Sequence, residues 1–175
     1  LFDMLSQVLQ MFLVPFSSKA YVQQDRDKLR VVAEKAVCFS TFLVLPVFLV
    51  LFFFPEEVLQ LLYIGRYNEG YSILRVFSAL ALIVPWNGVV TSYIIGMGKV
   101  KQGFLFSLGL LLLGIPLYAL LTPRLGGFGT SLGMVVSLLI ITIAVILYLQ
   151  PLIPLRLTNV IKRTNDVWTF VKRKL

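Results

Sequence analysis

Residues able to do chemistry are scarce in this chain. It has no His, one Cys and eight Asp and Glu among 175 residues. Catalysis needs a nucleophile, a base or a metal held in a dry site. The adjacent acids Glu56 and Glu57 read as a surface pair, and Cys38, inside an apolar run, reads as a small packed hydrophobe. One Cys and no His exclude the usual zinc, haem and disulfide frameworks, so no metal or cofactor is expected. The glycines at 126, 127 and 129 are not followed by the Lys-Ser/Thr pair of a phosphate loop, so ATP hydrolysis is not expected. Two side chains remain as candidates for binding a substrate. Asn87, the most polar residue deep in an apolar run, can bond a polar substrate group or a neighbouring helix. Arg75 can face an anionic headgroup or extend its cation to the interface. Apart from Asp3, near the start, no carboxylate falls in a clear apolar run.

The elements that position these residues follow from composition. Hydrophobic residues make up 58% of the chain and charged residues 14%, against roughly 45–50% and about 25% in soluble domains. That excludes a soluble globular domain and a disordered chain. A helix needs about 20 apolar residues to cross a hydrocarbon core. Long uncharged runs lie at 36–55, 76–98, 102–123 and 125–155, with a shorter one at 4–18. The runs are continuous rather than alternating, which argues against strands. The reading is therefore all-α: a polytopic transmembrane bundle over residues 1–150, with spans at about 1–18, 36–55, 73–96, 102–122 and 127–150, followed by a tail over 151–175. The chain starts with Leu inside an apolar run, without the basic region of a signal peptide. It is expected to begin inside a larger protein.

Of the 16 Lys and Arg, all but Arg66, Arg75 and Arg124 fall on one side of this scheme. The positive-inside rule makes that side, and the C-terminus, cytoplasmic. The opposite segment, 55–75, predicts a short interfacial helix, with Glu56 and Glu57 at its N-terminus and Gly65 and Gly70 breaking it. Pro46, Pro85 and Pro116 divide three of the spans and are candidate bending points. Gly129 and Gly133, four apart, predict close helix packing. In the tail, Arg156, Lys162, Arg163, Lys172, Arg173 and Lys174 flank an apolar face that includes Trp168. This predicts a basic amphipathic helix on the anionic cytoplasmic leaflet. The net charge of +8 thus has a membrane explanation, and no nucleic-acid partner is expected.

The run over residues 54–102 carries Leu61, Leu62, Tyr63, Gly65, Tyr67 and Tyr71, then Gly96, Gly98 and Lys99. Together with residues 14–36 and the glycines at 126, 127 and 129, it resembles the polysaccharide biosynthesis membrane proteins. These are lipid-linked oligosaccharide flippases of the multidrug/oligosaccharidyl-lipid/polysaccharide exporter superfamily. The resemblance spans residues 1 to about 150, with Thr130 and Ser131 where the family usually has Ala. It implies the C-terminal part of a two-bundle exporter fold. It also implies alternating access, a polyprenyl-linked glycan as substrate, membrane lipids and a missing N-terminal half as partners, and a place in the cytoplasmic membrane. Two other readings stay open: a multidrug or metabolite antiporter of the same superfamily, and a membrane scaffold without transport of its own.

Overall fold

The computed structural model describes residues 2–63 and 70–152, without the side chains of Phe2, Asp3, Leu5 and Arg26. The tail residues Arg156, Lys162, Arg163, Trp168, Lys172, Arg173 and Lys174 lie outside the described residues, as do Gly65, Arg66, Tyr67 and Glu69. Five helices follow one another: α1 Phe2–Val22, α2 Arg26–Phe53, α3 Pro55–Tyr63, α4 Tyr71–Gly96 and α5 Val100–Leu149. The described residues contain no strand.

Helix ends are set by local chemistry. At the end of α1, Gln24 takes a left-handed φ of 56°. The amide of Asp25 then reaches back to the Ala20 carbonyl at 3.1 Å, and that of Gln24 to the Tyr21 carbonyl at 3.0 Å. Two otherwise orphaned carbonyls are satisfied in this way. Asp25 goes on to cap α2, its carboxylate accepting from the Lys28 amide at 2.9 Å. Consequently α2 begins at Arg26, ten residues before the apolar run at 36–55. The charged stretch expected as a connection between spans is largely helical, because Asp27, Lys28 and Lys35 sit on its exposed side. Gly98, at φ 73°, ends α4 by the same pair of bonds, from Lys99 to Ile94 and from Gly98 to Ile95.

α5 is 50 residues long and would extend about 75 Å if straight. It does not. Gly126, at φ 58° and ψ −140°, turns the chain back, and residues far apart in sequence meet across two arms. The Lys99 ammonium donates to the Tyr148 hydroxyl at 3.4 Å, the Phe106 and Tyr148 rings lie 5.5 Å apart, and the Thr122 and Thr130 hydroxyls are 2.9 Å apart. α5 is therefore an antiparallel hairpin of arms 100–125 and 127–149. Gly129 and Gly133 lie on its inner seam, against Leu121 and Tyr118 respectively. The arms, about 39 and 35 Å long, both exceed a hydrocarbon core of roughly 30 Å.

α4 holds the bundle together. It packs against α1, α2, α3 and α5, whereas α5 packs against none of the other three described helices. Its buried side includes Ser78, Ala81, Pro85, Gly88, Ser92 and Gly96. These recur every three or four residues, so they form one stripe of small or compact side chains. A Cβ at Gly88 would stand 3.0 Å from the Ser6 side chain, and one at Gly96 would fall on the Ser17 hydroxyl. Small residues here allow α1 to approach the α4 backbone, as in membrane helix pairs. The core around this contact comprises Leu13, Ala20, Leu29, Ala33, Val37, Val89, Val90, Tyr93 and Ile94, among others.

Elsewhere large apolar side chains face outward, including Phe39, Phe42, Leu43, Phe104, Leu105, Leu111, Leu112, Ile115, Ile143 and Leu147. A soluble domain does not expose so much contiguous apolar surface. By length and apolarity α4, α5 and the stretch Asp27–Phe53 qualify as membrane spans. The chain is a membrane-embedded helical bundle.

Candidate functional site

Polar side chains on α4 are directed to different neighbours in turn. Near its start, the Arg75 Nε donates to the Phe52 carbonyl at 3.2 Å, at the C-terminal end of α2. A cation there satisfies an orphaned carbonyl and meets the negative end of the helix dipole. Arg75 is exposed at the end of the bundle rather than aimed into an interior cavity. One step further, the Trp86 indole donates to the Thr41 hydroxyl at 3.0 Å. Near the other end, the buried Tyr93 hydroxyl donates to the Leu29 carbonyl at 3.1 Å. Together these bonds run α2 and α4 antiparallel and fix their register.

Asn87 points the other way, toward α5. Its amide nitrogen donates to the Thr142 hydroxyl at 3.1 Å, and its amide oxygen accepts from the Thr91 hydroxyl at 3.4 Å. Thr142 in turn donates to the Leu138 carbonyl at 2.7 Å. A cavity of about 50 Å³ adjoins this cluster, lined by Asn87, Thr91, Gly103, Ser107, Ile141 and Val145 among others. One water needs at least about 10–15 Å³ of such space. The cavity therefore has room for a few waters and none for a sugar. Asn87 and Arg75 lie twelve positions apart on one helix and serve different neighbours, so they do not converge on a common ligand.

The main work of Asn87 in this structure is to tie α4 to the second arm of α5. Asn87→Leu is expected to lower stability by about 0.6–1.7 kcal/mol, the range for polar contacts between membrane helices. Reversible unfolding in mixed lipid–detergent micelles, wild type against variant, measures it.

Of the candidate bending points, Pro46, Pro85 and Pro116 all lie inside helices. Only Pro85 is buried; Pro46 and Pro116 are exposed on the outer faces of α2 and α5. Each frees the carbonyl four residues earlier. Among the described residues no group of three or more His, Cys, Asp or Glu could hold a metal ion.

Two features were not singled out from sequence. The first is the small-residue stripe Gly88, Ser92, Gly96, whose four-residue spacing was there to be found. The second is Glu34. It lies in a helix that qualifies as a span and has no solvent exposure, which corrects the expectation that only Asp3 places a carboxylate in an apolar run. Its neighbours in sequence, Arg30 and Lys35, make it look like part of a solvated stretch.

Residues 1–72 match the family model of the polysaccharide biosynthesis proteins. The match is consistent with a polysaccharide biosynthesis membrane protein family, and it spans α1, α2, α3 and the first residues of α4. It takes in Glu34 and residues 14–36, and it ends before Arg75, Asn87 and the α5 hairpin. No curated protein and no solved structure matches the chain.

Proposed function

We propose that this chain is part of a flippase that moves a lipid-linked oligosaccharide or polysaccharide precursor across the cytoplasmic membrane, and that it is not an enzyme. The observation that carries the reading is the family match over residues 1–72, found in a chain whose helices are apolar on their outer faces. The lysines and arginines support a cytoplasmic C-terminus. In this reading α1, α2, α4 and the two arms of α5 each cross the bilayer, and the tail rests on the inner leaflet.

The space around Asn87 is too small for a glycan. The reading therefore routes the substrate along the outside of this bundle, against a second bundle that completes the transporter. Alternating access would then be a rocking of whole bundles, with the prolines of α2, α4 and α5 as bending points. Membrane lipids and a polyprenyl-linked glycan are the partners it requires.

The test is deletion of the encoding gene in its host, followed by a leaflet-resolved assay of lipid-linked glycan. Accumulation on the cytoplasmic leaflet, with synthesis of the lipid-linked precursor intact, is the expected result. Unchanged leaflet distribution together with altered resistance to cationic drugs would replace the flippase with an antiporter. Loss of precursor synthesis itself would point instead to a scaffold for the synthetic enzymes.

A further inference from the structure

Three long helices pack on α4, and each turns one side away from it. On α2 that side carries Phe39, Phe42 and Leu43, and on α5 it carries Phe104, Leu112 and Ile143. Hydrocarbon covers such side chains without loss. α1 differs. Its outward side carries Met4, Met11 and Phe12, which are 72–74% exposed, and with them the exposed Gln7. Gln10 is three residues further on and half-buried, so it borders the same side.

The depth of these amides follows from the contact of α1 with α4. Ser6 donates to the Val84 carbonyl and stands against Gly88, and Ser17 stands against Gly96. α1 and α4 therefore run parallel, with Gln7 near the level of Asn87. The middle of α4, Tyr71–Gly96, falls at Ile83 and Val84. Gln7 is thus about 5 Å and Gln10 about 10 Å from the middle of a span. Both lie inside the roughly 15 Å half-thickness of a hydrocarbon core.

Neither amide is satisfied from within. Among the described residues no hydrogen bond reaches the side chain of Gln7 or Gln10. Other polar groups that face outward have an outlet. Ser107 on α5 donates to the Gly103 carbonyl at 3.2 Å. Lys35 on α2 has a long stem that can carry its ammonium to the interface. A glutamine near the middle of a span is too short for that.

An amide in hydrocarbon without a partner is costly, and polar side chains in spans therefore face other helices or water-filled cavities. A primary amide both donates and accepts, and so matches hydroxyl groups, which do the same. From Gln7 to Ser18 α1 carries no charge, so this stretch has nothing to pair with a phosphate or a cation. We propose that the Gln7 and Gln10 side of α1 borders a water-filled path, and that the hydroxyl-rich glycan of the lipid-linked precursor passes along it. The glycan rests on the flippase reading; the polar path does not. The bundle then has one wet side, on α1, while the outward sides of α2 and α5 meet acyl chains.

The test uses the whole gene product in lipid nanodiscs, where both membrane faces are open to solution. Cys38, the chain's single thiol, is buried; it and any other cysteine of the gene product are replaced by Ala. Gln7→Cys and Gln10→Cys are compared with Leu43→Cys and Ile143→Cys. Both controls face outward near the same level. Leu43 lies two residues from Thr41, which bonds Trp86, and Ile143 lies next to Thr142, which bonds Asn87. The probe is a charged methanethiosulfonate, which reacts with thiolate in water. Labelling at positions 7 and 10 is expected to be at least about tenfold faster than at 43 and 143, because one unit of raised thiol pKa in apolar surroundings removes that much thiolate. Added lipid-linked glycan should slow labelling at 7 and 10. Gel filtration reports folding, and if one glutamine variant does not fold the other decides. Labelling at 7 and 10 as slow as at 43 and 143 overturns the proposal, with lipid or a dry helix contact covering this side. Fast labelling that the glycan leaves unchanged, in a protein that moves the glycan, overturns the route assigned to it. Fast labelling in a protein that moves no lipid-linked glycan overturns the flippase reading and leaves the polar path standing.

Discussion

Replacing Gly96 by Val is expected to cost about 3 kcal/mol or more, at the upper end of the range for overpacking, and to detach α1 from α4. A Cβ at this position would fall on the Ser17 hydroxyl and stand 2.8 Å from the Val14 carbonyl. A side chain can change rotamer, but a helical carbonyl moves only with its helix. Retreat of α1 would break the Ser6 bond to the Val84 carbonyl, at 3.3 Å, and the longer Ser17 contact with the Ser92 carbonyl, at 3.5 Å. It would also open the buried contacts of Leu13 and Ala20. The readouts are reversible unfolding in mixed micelles and the maleimide reactivity of Cys38. Gly98→Ala provides the contrast. That glycine has a φ of 73° and nothing within 4 Å of where a Cβ would be. The substitution therefore incurs only left-handed backbone strain, about 1–2 kcal/mol, and should leave Cys38 protected.

The second large effect is expected in the α5 hairpin. A Cβ at Gly129 would fall on the Leu121 carbonyl, so Gly129→Val must spread the arms where they are closest. Thr122 and Thr130, whose hydroxyls are 2.9 Å apart across the seam, supply the measurement. In a Cys38→Ala background, Thr122→Cys with Thr130→Cys should form a disulfide on mild oxidation. Adding Gly129→Val should reduce its yield about tenfold, the population change that corresponds to about 1.4 kcal/mol of overpacking. A straight helix would hold residues 122 and 130 about 12 Å apart, beyond the reach of any disulfide. Formation of the bond in the parent pair therefore tests the hairpin itself.

How much of this was legible in the sequence depended on the kind of force involved. Helical content and membrane character follow from long apolar runs without alternation, and those are visible directly. Helix starts are less so. Charge marks where a helix leaves the apolar phase, whereas hydrogen bonding marks where it ends. Hence α2 continues through Lys35 back to Arg26, with Asp25 as its cap. The turn at Gly126 could be read only as a break between apolar runs, because its dihedral angles are not written in composition.

The candidate site shows the same division. Asn87 was recognisable as a polar group that needs a partner, but Thr142 lies 55 residues away and no local pattern points to it. Arg75 could be assigned to the membrane surface. Its bond to the end of α2 depends on how α2, α3 and α4 connect. The stripe from Ser78 to Gly96 is periodic in side-chain size rather than polarity, so a search for polarity passes over it. Glu34 stood out least. Whether a lone acid between Arg30 and Lys35 is solvated or dry is decided by tertiary packing, which no local pattern records.

That last point has a consequence for biosynthesis. Because α4 is the helix on which all the others pack, α1 and α2 emerge from the ribosome before the surface that receives them exists. Some 43 residues separate Phe53 from Gly96, roughly 2–9 s of translation at about 5–20 residues per second. Through that interval the early helix pair meets the lipid, or the insertion machinery, with Leu29, Ala33 and Val37 not yet packed against α4. The α5 hairpin carries no such delay, since its second arm can close on its first as it is made. The nascent chain is thus most exposed to quality control early in its synthesis, and the arrival of one helix ends that exposure.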